Sequence, residues 1–82
     1  MFFVTLVKFV PGRAKEAFAE LQRFTERFRG AYMYITFGRY DGLFVWEAPD
    51  LAAANRNIKA LNESGLFTTE TMLAQPMEDF VY

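Results

Sequence analysis

The chain has 82 residues, of which 52% are hydrophobic, 18% aromatic and 23% charged, a composition that bounds one globular domain and excludes a disordered tail. It contains neither cysteine nor histidine, so disulfides, zinc sites of the Cys/His kind, catalytic thiols, Ser-His-Asp triads and a proximal haem histidine are all ruled out. Nine Lys/Arg against ten Asp/Glu leave a net charge of −1, without the positive footprint of a general nucleic-acid binder.

Residues 2–10, rich in Val and Phe and stopped by Pro11-Gly12, predict a first strand and a turn. Beyond Gly12, Ala14, Ala17, Phe18, Leu21, Phe24 and Phe28 recur at helical steps with Lys, Arg and Glu between them, and Gly30 is placed to end that helix. Residues 31–37 and 43–48 read as a hairpin around Gly38-Arg39-Tyr40-Asp41-Gly42. Asp50 is the expected N-cap of a second helix whose stripe is Leu51, Ala54, Ile58 and Leu61, closed by Gly65. Residues 66–74 predict a fourth strand, and Pro76 opens a tail. The order βαββαβ specifies an α+β, ferredoxin-like domain over residues 1–75, with residues 76–82 as the tail.

Two helices cover only one face of a four-stranded sheet, so the other face should turn polar if it met water. It stays apolar: Phe2, Val4, Leu6 and Val10 oppose Phe3, Val7 and Phe9, Tyr32 and Tyr34 oppose Met33, Ile35 and Phe37, and Leu43 and Val45 oppose Phe44 and Trp46. The expected cover is a second copy packed sheet to sheet about 10 Å away, a dimeric α/β barrel. Oligomerisation also suits a small domain with no disulfide or metal to staple it. The start of the chain has no basic region before its apolar stretch, and the longest apolar run, Ala31 to Ile35, is five residues, so neither a signal peptide nor a membrane span is expected and the reading is cytoplasmic.

The hairpin segment Ile35-Thr36-Phe37-Gly38-Arg39-Tyr40-Asp41, then Glu47-Ala48-Pro49-Asp50-Leu51, then Thr69-Glu70-Thr71-Met72-Leu73-Ala74, resembles the effector-binding (RAM) domain of Lrp/AsnC transcription regulators. The same residues resemble the GYD-domain family of dimeric α/β-barrel proteins. The first resemblance implies a stand-alone effector domain, since the first strand begins at Phe2 and leaves no room for a helix-turn-helix. It implies an amino-acid effector bound at an oligomer contact by Gly38, Tyr40, Asp41, Thr69 and Thr71, assembly into dimers and then tetramers or octamers, and association with full-length regulators of that family. Ser64 stands where that family has a proline, and the entry into the second strand is closer to GYD domains.

Chemistry fits these positions. A glycine at 38 with positive φ would open backbone N–H groups to a carboxylate, Asp41 would take an ammonium, and Thr69 and Thr71 share one side of their strand. Asp41, Glu47 and Glu70 are the carboxylates nearest the sheet, with Lys8, Arg39 or a partner-chain cation as the expected partners of Glu47 and Glu70; nothing in their spacing brings two together for acid–base work. Trp46 with Asn55, Asn57 and Asn62 resembles the residue types of cofactor-free monooxygenases of this fold. That rival, a small enzyme, requires a polar group near Trp46 between helices and sheet, whereas the effector reading requires a site between dimers. The RNA-recognition alternative fails, because Asp41-Gly42-Leu43-Phe44-Val45-Trp46 lacks the basic position of its signature. The expectation is a non-enzymatic effector domain with no cofactor, no metal and no direct nucleic-acid contact.

Overall fold

A β-branched and aromatic strand with residues of both parities apolar belongs at the centre of a sheet, where both of its edges are paired. In the computed structural model, which describes residues 1–28 and 31–80, β1 (Phe2–Phe9) takes that place. It is followed by α1 (Ala14–Glu26), β2 (Tyr32–Ile35), β3 (Gly42–Glu47), α2 (Leu51–Asn62), β4 (Phe67–Ala74) and a single 3-10 turn, Met77–Asp79. The sheet order is β2-β3-β1-β4, every neighbouring pair antiparallel. This is the ferredoxin-like βαββαβ arrangement.

Gly12 (φ 82°) and Gly65 (φ 70°) make the sharp turns into α1 and β4, in a backbone region that other residues avoid. Asp50 caps α2 as expected, its Oδ1 accepting the Ala53 N–H at 2.8 Å. The predicted terminator Gly30 lies outside the described residues.

One sheet face carries both helices. Phe3, Val7, Phe44, Trp46 and Phe67 project from it against Ala17, Leu21 and Phe24 of α1 and Ala53, Ala54 and Leu61 of α2, all buried. The alanines let α2 approach the sheet closely, and the aromatic rings fill the space beneath α1. Trp46 stacks on Phe3 (centroids 5.0 Å apart) and on Phe44 (6.0 Å), and Phe24 meets Phe44 edge-on at 5.5 Å. Such pairs each contribute about 0.5–1.5 kcal/mol beyond their burial.

Among the described residues no helix or strand lies over the other face. Phe2, Val4 and Leu6 of β1, Leu43 and Val45 of β3, Tyr32 and Tyr34 of β2 and Met72 of β4 form an apolar band across it. Tyr32 is 61% exposed and Tyr34 55%. The polar residues of this face, Lys8, Glu47, Thr68 and Glu70, lie towards its ends and its β4 edge.

Four expectations are corrected. β2 ends at Ile35, so Phe37 joins neither face and is 98% exposed in the hairpin loop. Leu51 opens α2 at 56% exposure instead of lying on its buried stripe, a position that Ala53 takes. Ala14 and Phe18 are exposed on α1, which buries only Ala17, Leu21 and Phe24. Glu47 and Glu70 make no ion pairs with Lys8 or Arg39; among the described residues the ion pairs are Arg13–Glu16 and Arg23–Glu20, both within α1 and its cap.

Candidate functional site

The buried part of the sheet's helix side is apolar except at Thr5, which sits between Phe3 and Val7 on β1 and is fully buried. Its Oγ1 accepts the indole N–H of Trp46 at 2.9 Å and lies 2.8 Å from the Oγ1 of Thr71, its direct neighbour on β4. Two positions along β4, Thr69 donates to the Oδ1 of Asn62 at the end of α2, at 3.0 Å. A seam of hydroxyls thus runs from the aromatic core to the half-exposed boundary between α2 and β4. A buried polar chain of this kind must be fully paired, and among the described residues no buried side-chain N or O is left without a partner.

The hairpin is a separate place. Asp41 is anchored on every side: its carboxylate accepts the Phe9 N–H at 2.7 Å, its own N–H donates to the Val7 carbonyl at 2.8 Å, and its carbonyl accepts the Thr36 N–H at 3.0 Å. The Thr36 hydroxyl closes the loop on the Tyr40 carbonyl at 2.6 Å. Tyr40 reaches across the end of β1 and donates its hydroxyl to Glu70 Oε2 on β4, at 2.7 Å. That hydrogen bond, with the nearby carboxylate charge, raises the Tyr40 pKa, and the Arg39 guanidinium, 6.0 Å from the ring centre, opposes it. Gly38 does not adopt positive φ, so the expected opening of N–H groups by that conformation is absent.

The five residues nominated from the sequence therefore divide within one chain. Thr69 and Thr71 face the helices, Tyr40 bonds to Glu70, which faces the open side, Asp41 is spent on the β1 backbone, and Gly38 stands in open space at the loop. The carboxylates divide too. Glu47 pairs in register with Phe2 and Glu70 with Leu6, four strand residues or about 13 Å apart along β1. They do not form an acid–base pair inside one subunit. Among the described residues no cluster of three acidic side chains is suited to a metal.

Sequence reading missed Thr5 and the bond of Asn62. The signal for Thr5 was there, as the one hydroxyl on the buried parity of a Phe/Val strand; its partner 66 residues away was not. Clefts also open on the surface. A cavity of about 330 Å³ opens beside Phe2, Leu73, Ala74, Pro76 and Asp79, and a groove of about 230 Å³ runs between α1 and β2, lined by Phe18, Leu21, Gln22, Thr25, Met33 and Ile35. Neither holds a pair of titratable side chains. Among the described residues no helix is long and apolar enough to cross a membrane.

Comparison with known proteins bears on this arrangement. No curated protein matches the chain. Among solved structures it is similar to 5-chloro-2-hydroxyhydroquinone dehydrochlorinase from Burkholderia phenoliruptrix, determined in complex with 2,5-dihydroxybenzoquinone, with 15% identity over 95% of this chain and 97% of that one and a TM-score of 0.59. That likeness is one of fold. A family model for the GYD domain matches residues 3–81, spanning both helices and all four strands, and the chain accordingly belongs to the GYD domain family.

Proposed function

We propose that the protein works as a homodimer of the dimeric α/β-barrel type, two copies joined through their open sheet faces, and that each subunit binds a small oxygenated organic molecule on the helix side, as a small enzyme of this architecture would. The observation that carries the dimer is the apolar band of Phe2, Val4, Leu6, Tyr32, Tyr34, Leu43, Val45 and Met72, which no element among the described residues covers. Exposed apolar surface of that extent and flatness is characteristic of an interface. The ligand reading is supported by the hydroxyl seam beside Trp46, the polar group that an intrasubunit site requires. The structural relative's dihydroxybenzoquinone is an example of the ligand class.

A second reading keeps the Lrp/AsnC likeness: an amino-acid effector held between dimers by Gly38, Tyr40, Asp41, Thr69 and Thr71. What favours it is that β4 is an edge strand, so Thr69 and Thr71 lie where another dimer can approach. Light scattering combined with a thermal-shift screen separates the two. Dimer mass at micromolar concentration, with stabilisation by hydroxylated benzoquinones or phenols and none by the twenty amino acids, is the expected result. A monomer would overturn the dimer, and stabilisation by one amino acid together with growth to tetramer or octamer would replace the first reading by the second.

A further inference from the structure

We infer that Thr71 is a fixed, outward-pointing hydrogen-bond donor, and that the boundary between α2 and β4 binds an acceptor oxygen (a carboxylate, phenolate or quinone carbonyl) carried on an apolar ring. The inference rests on the small-molecule reading above and locates its site.

The argument is an accounting of protons. Trp46 Nε1–H is a donor only, and it donates to Thr5 Oγ1. Thr5 is fully buried, and among the described residues its hydroxyl has one other partner, Thr71 Oγ1 at 2.8 Å. If Thr71 donated to Thr5, the Thr5 proton would be left buried and unpaired, which is the costly outcome for a polar group. Thr5 therefore donates to Thr71, and the order of donation is Trp46 to Thr5 to Thr71. The proton of Thr71 has no acceptor among the described residues, and Thr71 is half exposed. Its direction of donation is set from inside the core, and each bond in such a chain polarises the next.

The surroundings define what that proton meets. Residues 63–66 reverse the chain between α2 and β4, and Thr69 is bonded to Asn62. One helical turn back from Asn62, about 6 Å, is Ile58, half-buried against the core. Two residues along β4 from Thr69, about 6.6 Å, is Thr71. Ile58 and Thr71 therefore stand level across the boundary, and exposed Leu73 follows on the same side of β4. Because Thr69 gives its proton to Asn62 Oδ1, the Asn62 amide N–H groups remain as further donors. Two kinds of donor and an apolar rim, with the exposed Lys59 in the same last turn of α2, select a hydrogen-bond-accepting oxygen on a ring, charged or neutral, rather than an ammonium group.

Trp46 is the single tryptophan, so its indole N–H gives one resolved resonance at the inner end of the chain. Full-length protein labelled with nitrogen-15 is titrated with sodium benzoate, with toluene as the ring that lacks an acceptor. The expected result is a saturable shift of the indole resonance with benzoate and none with toluene, retained in Thr71→Ser and weakened about tenfold in affinity in Thr71→Val. An indole resonance that benzoate leaves in place, or that toluene or Thr71→Val reproduces unchanged, overturns the inference. Light scattering on the same samples reads the dimer separately, so a failed site and a failed dimer give different results.

Discussion

The two faces of one sheet are made from the same kinds of residue and meet different fates. On the helix side, Phe3, Val7, Phe44 and Trp46 are almost completely buried, and the one hydroxyl among them is bonded twice. On the open side, Phe2, Tyr32, Tyr34 and Met72 are equally apolar and remain in contact with water. Hydropathy alone does not distinguish the faces, because strand alternation places apolar residues on both. What distinguishes them is supply: both helices lie on one face, and among the described residues no element covers the other. Stability of the subunit is therefore concentrated on one face, and the other is the face through which we propose that two copies associate.

The largest effect that breaks this contrast is loss of the tryptophan. Trp46→Ala empties the centre of the helix-side cluster and should cost about 3–5 kcal/mol, a large fraction of the 5–15 kcal/mol of a typical domain; urea unfolding followed by circular dichroism measures it. A charge on the open face should behave in the opposite way. Tyr34→Lys leaves the subunit's own melting nearly unchanged while weakening self-association by at least about a hundredfold, since two-fold symmetry buries the unpaired charge twice. Sedimentation would read it, and a dimer that survives would show that the face is not the contact.

The third effect is smaller and tests the hydroxyl seam. Thr71→Val strands the buried Thr5 proton and should cost about 1–3 kcal/mol, whereas Thr71→Ser keeps an acceptor in place and should cost less, by the same urea measurement. The smallest concerns Tyr40. Its raised pKa comes first from the hydrogen bond to Glu70, so Glu70→Gln should lower the midpoint of its ultraviolet titration towards the ordinary phenol value. Because the folded pKa is the higher, the stabilisation is complete below the unfolded phenol pKa and disappears as pH rises through the folded one. The group is at the surface, and the effect is confined to the alkaline limb of a stability profile.

How much of this was legible in the sequence depends on the range of the interaction. Alternation in β1 and β3 gave the correct faces, and Asp50 and Gly65 gave the correct ends of α2, because capping and pleat are local physics. The extent of β2 was overread, since Phe37 has strand propensity but no partner strand to hold it beyond Ile35. The candidate site was legible only in part. Thr69 and Thr71 do share a side, but their partners, Asn62 and Thr5, are set by how α2 and β1 pack against β4. Asp41 looked available for a ligand because its bond to the Phe9 amide spans 32 residues, which no local pattern reveals.

The position of β1 has a further consequence, for the order in which the molecule assembles. This strand pairs with β3 and with β4, and its first pair, Phe2 with Ala74, joins nearly opposite ends of the domain. The first strand of the sheet is thus the one that needs the fourth to complete its hydrogen bonds. A chain leaving the ribosome carries β1 with an unpaired edge and two apolar faces until residue 74 has emerged, and contacts of such sequence separation close slowly. Nascent chains of this protein spend that interval with their most apolar strand available to one another, which makes growing copies, rather than finished subunits, the stage most exposed to aggregation.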